Sequence, residues 1–196
     1  MNISIIKYNA GNVQSVLFAL ERIGINAVVT DNISILKSSD KVIFPGVGEA
    51  SSAMKYLKEK NLDDVIINLK QPVLGICLGM QLMCRYSEEG NTNCLGIFDS
   101  SVKLFSADLK STKVPQIGWN TIYDLNTNLY HNIKENEYMY FVHSYFAEIS
   151  EHTIAKTNYG LEYSSSLQNN NFYGVQFHPE KSSDAGQQLL ENFIKL

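Results

Sequence analysis

Cys77 stands between two glycines in Gly75-Ile76-Cys77-Leu78-Gly79-Met80-Gln81, and about a hundred residues later the chain reads Gln176-Phe177-His178-Pro179-Glu180. A thiol, an imidazole and a carboxylate are the parts of a nucleophile, its base and the group that orients the base. Glu180 lies two residues past His178, so it can accept from the imidazole Nδ1–H and leave Nε2 to exchange a proton with Cys77. A single cysteine is by composition most simply a small buried hydrophobe, and a single histidine most simply structural. Neither reading needs the paired glycines or the carboxylate two residues after the histidine.

The elements around these residues place them. Pro72-Val73-Leu74-Gly75-Ile76 is an apolar run suited to a buried strand, and a helical pattern begins at Met80-Gln81-Leu82-Met83. Cys77 therefore falls at a strand-to-helix junction, a nucleophile elbow with sulfur in place of hydroxyl. The first amides of the helix and its dipole favour the thiolate, and the Leu78 N–H would lie near an oxyanion formed at the attacked carbon. His178 follows the apolar run Phe172–Phe177 and is expected at a strand end. Pro45-Gly46-Val47-Gly48 follows another strand and forms a tight loop that brings backbone close to the same region.

Upstream of Cys77, strands and helices alternate. Ile3–Ile6, Ala27–Val29 and Lys41–Phe44 read as strands. Asn12 is placed to cap a helix running to Gly24 on Val13, Val16, Leu17, Leu20 and Ile23, and further helical stretches span 50–58 and 63–69. This alternation predicts an α/β fold with a mainly parallel sheet covered by helices. Short aromatic and β-branched runs at 121–123, 138–142, 153–155 and 172–177 predict antiparallel strands at the sheet edge. An amphipathic helix at 184–196 turns Leu189, Leu190, Phe193 and Ile194 inward. Cys84 is expected on the helix after the elbow, packed. His131 and His152 carry no assigned role.

The chain has 196 residues, enough for one domain over 1–196 with a substantial core. Sixteen basic and twenty acidic residues leave a net charge of −4 without a basic tract, which argues against nucleic acid as a partner. No apolar run reaches membrane-spanning length, and the start Met1–Lys7 carries no basic leader or cleavage site. Three cysteines (Cys77, Cys84, Cys94) fit a reducing cytoplasm, and no metal or cofactor is expected.

The two motifs together resemble the triad motifs of class I glutamine amidotransferases. Pro45-Gly46-Val47-Gly48, Gly118-Trp119-Asn120 and Tyr140-Phe141-Val142-His143-Ser144-Tyr145 resemble, within that class, the glutaminase subunits of imidazole glycerol phosphate synthase. The resemblance runs from Lys7-Tyr8-Asn9-Ala10-Gly11-Asn12 to Lys181-Ser182. It implies Cys77 as nucleophile, His178 as base and acid, Glu180 as orienting partner, and Val47 beside Leu78 as the second oxyanion donor. It further implies a glutamine pocket lined by Gly46, Gly48, Gln81, Glu89, His143, Ser144 and Tyr145. The implied partner is a cyclase subunit that consumes the ammonia, with Asn12, Trp119, Asn120 and Lys181 as interface candidates. Lys7 stands where the family usually has an acidic residue, and Asn9-Ala10 replaces a more glycine-rich pair. Three alternatives stay open on sequence: a glutaminase serving another acceptor such as a sugar, a cysteine hydrolase or peptidase on a similar scaffold, and a silent binding subunit.

Overall fold

A computed structural model describes residues 1–10, 12–106 and 113–196; Gly11 of the first loop lies outside them. Four parallel strands, β1 (Ile3–Ile6), β2 (Ala27–Thr30), β3 (Lys41–Gly46) and β4 (Val73–Cys77), alternate with α1 (Val13–Arg22), α2 (Ile33–Ser38), α3 (Ala50–Glu59) and α4 (Leu62–Ile67). Cys77 leads straight into a short helix, α5 (Leu78–Met83). Next come β5 (Cys84–Ser87), β6 (Thr92–Asn93) and β7 (Phe98–Leu104), then β8 (Gln116–Ile122), β9 (Glu137–His143) and β10 (Tyr145–Ala147). The chain continues through β11 (Thr153–Asn158), β12 (Glu162–Asn169), β13 (Phe172–Val175) and α6 (Ser183–Lys195).

The main sheet runs β2-β1-β3-β4-β13-β12-β10-β7-β5-β6, with β11 paired to β12. Successive residues of its central strands divide between two apolar clusters. Val42 and Phe44 face one and Ile43 the other; Val73 joins the first, Leu74 and Ile76 the second. Such alternation marks strands covered on both faces. The first cluster takes Leu57, Leu62 and Met80, and the second takes Val16, Leu20, Leu189, Leu190 and Phe193. The sheet is therefore sandwiched between α3–α5 and α1 with α6.

Several expectations need correction. The run 172–177 is not an antiparallel edge strand. Its strand part, β13, pairs parallel with β4 and antiparallel with β12, inside the sheet. Its uninterrupted apolar character is what burial on both faces demands. The runs 121–122 and 138–142 lie instead in a separate antiparallel pair, β8 with β9, and only Tyr123, just past β8, bridges antiparallel to Lys156 of β11 in the main sheet. The helix after Cys77 lasts six residues, so Cys84 opens β5 rather than lying on a helix, and it is fully buried. Asn12 stands at the N-cap position of α1, but its side chain accepts from the Ser15 hydroxyl (3.0 Å) instead of a helix amide. At the other end Gly24 adopts φ 77° and the chain closes with Gly24 N–H to Glu21 and Ile25 N–H to Leu20, a Schellman stop. In α6, Leu189, Leu190 and Phe193 are buried and Ile194 half-buried against the same core.

Candidate active site

Three neighbouring parallel strands, β3, β4 and β13, end at one edge of the sheet, and each hands over a functional segment there. Gly46 at the end of β3 is in register with Cys77 at the end of β4, while β13 runs on through Gln176 and Phe177 to His178. Crevices at the carboxyl ends of parallel strands are where open α/β sheets bind ligands. Cys77 turns the chain with φ 53° and ψ −109°, which lifts its sulfur out of the sheet at the start of α5. The close packing of this elbow depends on Gly79, where a Cβ would lie against the Phe44 carbonyl.

His178 is held by its own backbone and by its ring. Its N–H donates to the Tyr140 carbonyl (2.9 Å), and its Nδ1 meets Glu180 Oε1 at 2.8 Å. The Cys77 sulfur acts electrostatically on the same ring, and with Nδ1 occupied by Glu180 it is Nε2 that is left free to exchange a proton with it. Cys77, His178 and Glu180 are all buried. Ser182, absent from the expected site, ties the turn down: its hydroxyl donates to the His178 carbonyl (2.7 Å) and accepts from the Tyr140 N–H (2.9 Å). In front of Cys77 and His178 opens a pocket of about 330 Å³. Val47, Gly48, Leu78, Gln81, Glu89, Pro115, Val142, His143, Ser144, Tyr145 and Lys181 complete its lining.

The Glutamine amidotransferase class-I family model matches residues 5–196. The chain belongs to the class I glutamine amidotransferase family. Among its relatives is the imidazole glycerol phosphate synthase subunit HisH of Bacteroides fragilis, 55% identical over 196 residues with 100% of both chains covered. The HisH of Haemophilus influenzae is 45% identical over 196 residues, covering 100% of this chain and 98% of its own. A crystal structure of a glutamine amidotransferase superposes with TM-score 0.75 at 16% identity, covering 98% of this chain and 97% of the other. PurLQS from Thermotoga maritima gives TM-score 0.73 at 15% identity, covering 99% and 97%. At such identities these two structures show the shared fold.

Measured against the amidotransferase expectations, the geometry brings most of the named residues into one place. Gly46 lies behind the pocket wall, where a Cβ would run into the Tyr8 hydroxyl and the Leu78 side chain. Gln81 is buried, with its amide nitrogen bonded to the Tyr145 carbonyl (2.9 Å) and Gln176 Oε1 (2.8 Å). His143 reaches the pocket but is engaged elsewhere: Nδ1 meets the Tyr145 carbonyl at 2.7 Å and Nε2 the Tyr163 hydroxyl at 3.3 Å. Burial, opposed by the bond to the Tyr145 carbonyl and reinforced by the charge of His178, lowers His143 to about 4, so it is neutral at physiological pH. Trp119 and Asn120 stand apart on β8. Trp119 is 52% exposed, and Asn120 donates to the Asn158 carbonyl (2.9 Å).

The charges are arranged by sign. Burial disfavours the His178 imidazolium, but hydrogen bonds to Cys77 and Glu180, and the charges of both, outweigh it and raise His178 to about 10. The imidazolium therefore prevails at neutral pH, beside the sulfur. Glu89 Oε2 accepts from the Ala50 N–H (2.8 Å), and its carboxyl is raised by burial, opposed by that bond and reinforced by the charge of Glu49. The Tyr145 hydroxyl is raised by burial first and then by the charges of Glu89, Glu88 and Glu49. They give one side of the pocket an anionic field suited to an ammonium group. Besides Ser182, sequence reasoning missed Gln176, whose Nε2 lies 3.6 Å from Cys77 Sγ. Its only sequence signal was an amide inside an apolar strand, two residues before His178.

Proposed function

We infer that the chain is the glutaminase subunit of an imidazole glycerol phosphate synthase. It hydrolyses glutamine to glutamate and ammonia and passes the ammonia to a cyclase subunit. That subunit makes imidazole glycerol phosphate and aminoimidazole carboxamide ribotide in histidine biosynthesis. The observation that carries this reading is the buried Cys77–His178–Glu180 arrangement opening on the pocket, in a chain 55% identical along its whole length to a HisH subunit.

The Cys77 thiolate attacks the side-chain carbonyl carbon of glutamine. A C–S bond forms, and the carbonyl electrons move to an oxygen stabilised by the Leu78 and Val47 amides. When that oxyanion collapses, the C–N bond breaks and His178 gives its proton to the departing ammonia. The neutral imidazole then takes a proton from water, whose oxygen attacks the γ-glutamyl thioester. The second collapse frees glutamate and returns the thiolate beside the imidazolium. Glu180 keeps Nε2 aimed at the sulfur throughout. The raised His178 value supports this order, acid first and base second. The Gly46–Gly48 backbone, Gln81, Glu89, His143, Ser144 and Tyr145 shape the glutamine site, with Glu89 on the ammonium side.

Free ammonia in neutral water is mostly protonated and poorly nucleophilic, so the product has to be handed on under cover. The heterodimer with the cyclase provides this in the cytoplasm, with Asn12, Trp119, Asn120 and Lys181 as contact residues. The deciding experiment measures glutamate release from glutamine with and without a cyclase subunit loaded with its ribonucleotide substrate. Strong stimulation that disappears in Cys77→Ala is expected. Cys77-dependent hydrolysis indifferent to the cyclase would assign a different acceptor, and activity surviving in Cys77→Ala would remove the nucleophile.

A further inference from the structure

Gln176 is fully buried, and its amide nitrogen is 3.6 Å from Cys77 Sγ. The direction of that contact is settled by its neighbours. The Tyr145 carbonyl can only accept a hydrogen bond, and the Gln81 amide end 2.9 Å from it must therefore be nitrogen. The same Gln81 nitrogen is 2.8 Å from the Gln176 amide, which must answer with its oxygen. That leaves the Gln176 NH2 group facing the sulfur. A backbone carbonyl thus sets the polarity of a relay of two side chains that ends as a donor on the nucleophile. On another side of the sulfur, the Val142 carbonyl lies at 3.8 Å, an acceptor that suits a thiol and repels a thiolate.

We propose that Gln176 is a catalytic residue of the glutaminase reaction, donating to the Cys77 thiolate before attack and again when hydrolysis of the thioester releases it, with Gln81 as the positioning residue that fixes its orientation. The proposal rests on Cys77 being the nucleophile. A neutral donor offsets the Val142 carbonyl without competing for the charge of His178, so the thiolate and imidazolium remain paired. It also gives Gln81 a task besides lining the pocket. Both of its N–H bonds are committed to the relay, and only its oxygen is left for a substrate.

The test uses the full chain, alone and with its cyclase subunit. Iodoacetamide alkylation of Cys77 is followed across pH in wild type, Gln176→Met and Gln176→Glu. Burial raises the thiols of Cys84 and, to about 12, of Cys94, so Cys77 labels selectively near neutral pH. Hydrogen bonds to charged groups predict a loss of about 10- to 100-fold in alkylation at neutral pH for Gln176→Met, recovered at alkaline pH. A similar fall in kcat is expected, with little change in the KM for glutamine. Gln176→Glu, which keeps the volume but sets a carboxylate against the sulfur, should lose more. Should the methionine variant not fold, the Gln176 side-chain amide resonances of the wild type are compared with those of Cys77→Ser through a pH titration. They are expected to move with Cys77 ionisation in the wild type alone. Wild-type alkylation in folded Gln176→Met, or amide resonances indifferent to Cys77, would overturn the proposal. A lower kcat with unchanged alkylation would also overturn it, as would full activity of Gln176→Met. Full activity of Cys77→Ala would instead overturn the reading beneath it.

Discussion

Two buried histidines line the same pocket as the Cys77 sulfur and are driven in opposite directions. His143 is lowered to about 4, first by burial, whereas His178 is raised to about 10 by Cys77 and Glu180 against its burial. Their effects on stability occupy different pH ranges. Between about 4 and 6.5 the unfolded chain takes up a proton at His143 that the folded chain refuses, so stability falls as pH falls through this range, by about 3 kcal/mol at most. His178 is protonated in both states there. It contributes above 6.5, where the folded state keeps a proton the unfolded chain releases, and this stability is lost as pH rises toward 10. Denaturant unfolding of His143→Leu should accordingly start from a lower value at pH 7, because the Tyr145 carbonyl loses one of its two donors and keeps only Gln81, yet decline less between pH 6.5 and 4.5. An acid limb as steep as that of the wild type would contradict this. At this scale the grouping of Cys77, His178 and Glu180 as a candidate triad was legible, from residue type and spacing. Gln176 and Ser182 were not. An amide or hydroxyl carries no reactivity of its own, and its role depends on which atom it faces, which spacing does not encode.

Among the elements, the turn carrying His178 is pressed between β9 and α6. Ser182 bonds it to β9, and Gly186 allows α6 to lie directly on it, since a Cβ there would strike the Pro179 carbonyl. Gly186→Ala has no room to relax except by moving the helix or the turn. It is expected to destabilise the chain by about 1–3 kcal/mol in urea unfolding, with a loss of glutaminase kcat beyond what the unfolded fraction explains. Wild-type kcat in the folded variant would show that the turn does not depend on α6. The local elements were readable where a periodic face or a cap named them, as in α1 and α6. Strand order was less so. β13 joins β4 across about a hundred residues of intervening chain. Pairing at that distance is decided by which faces remain to be covered, and local pattern carries little of that information. The separate β8–β9 pair escaped for the same reason, because alternation predicts a strand but not its neighbour.

For the molecule as a whole, β8 and β9 present Ile117, Trp119 and Tyr138 to solvent, and Lys181 at the pocket rim lies over the Tyr140 ring with its Nζ 5.9 Å from the centroid. Under the heterodimer reading this apolar face joins the glutamine pocket to the cyclase. Trp119→Ala should weaken cyclase binding by about 30-fold or more, as truncation of a central aromatic typically does, while Cys77 in the isolated chain alkylates at the wild-type rate. Unchanged affinity in both Trp119→Ala and Lys181→Ala would place the partner elsewhere. No described helix is long and apolar enough to cross a membrane.

The backbone at Cys77, with φ 53° and ψ −109°, carries an energetic debt as well as a shape. An L-residue in such a conformation is strained by about 1–3 kcal/mol, and the hydrophobic packing of the surrounding sheet holds it there. Alanine at this position removes the sulfur and keeps the strain, whereas glycine removes both and gives back about 0.4–1 kcal/mol through the freer unfolded chain. Cys77→Gly should therefore melt above Cys77→Ala, because the backbone at this position favours the residue without a side chain. The thermal midpoints of the two variants and the wild type, measured side by side, would show whether the nucleophile is kept at a site where the fold by itself would prefer no side chain.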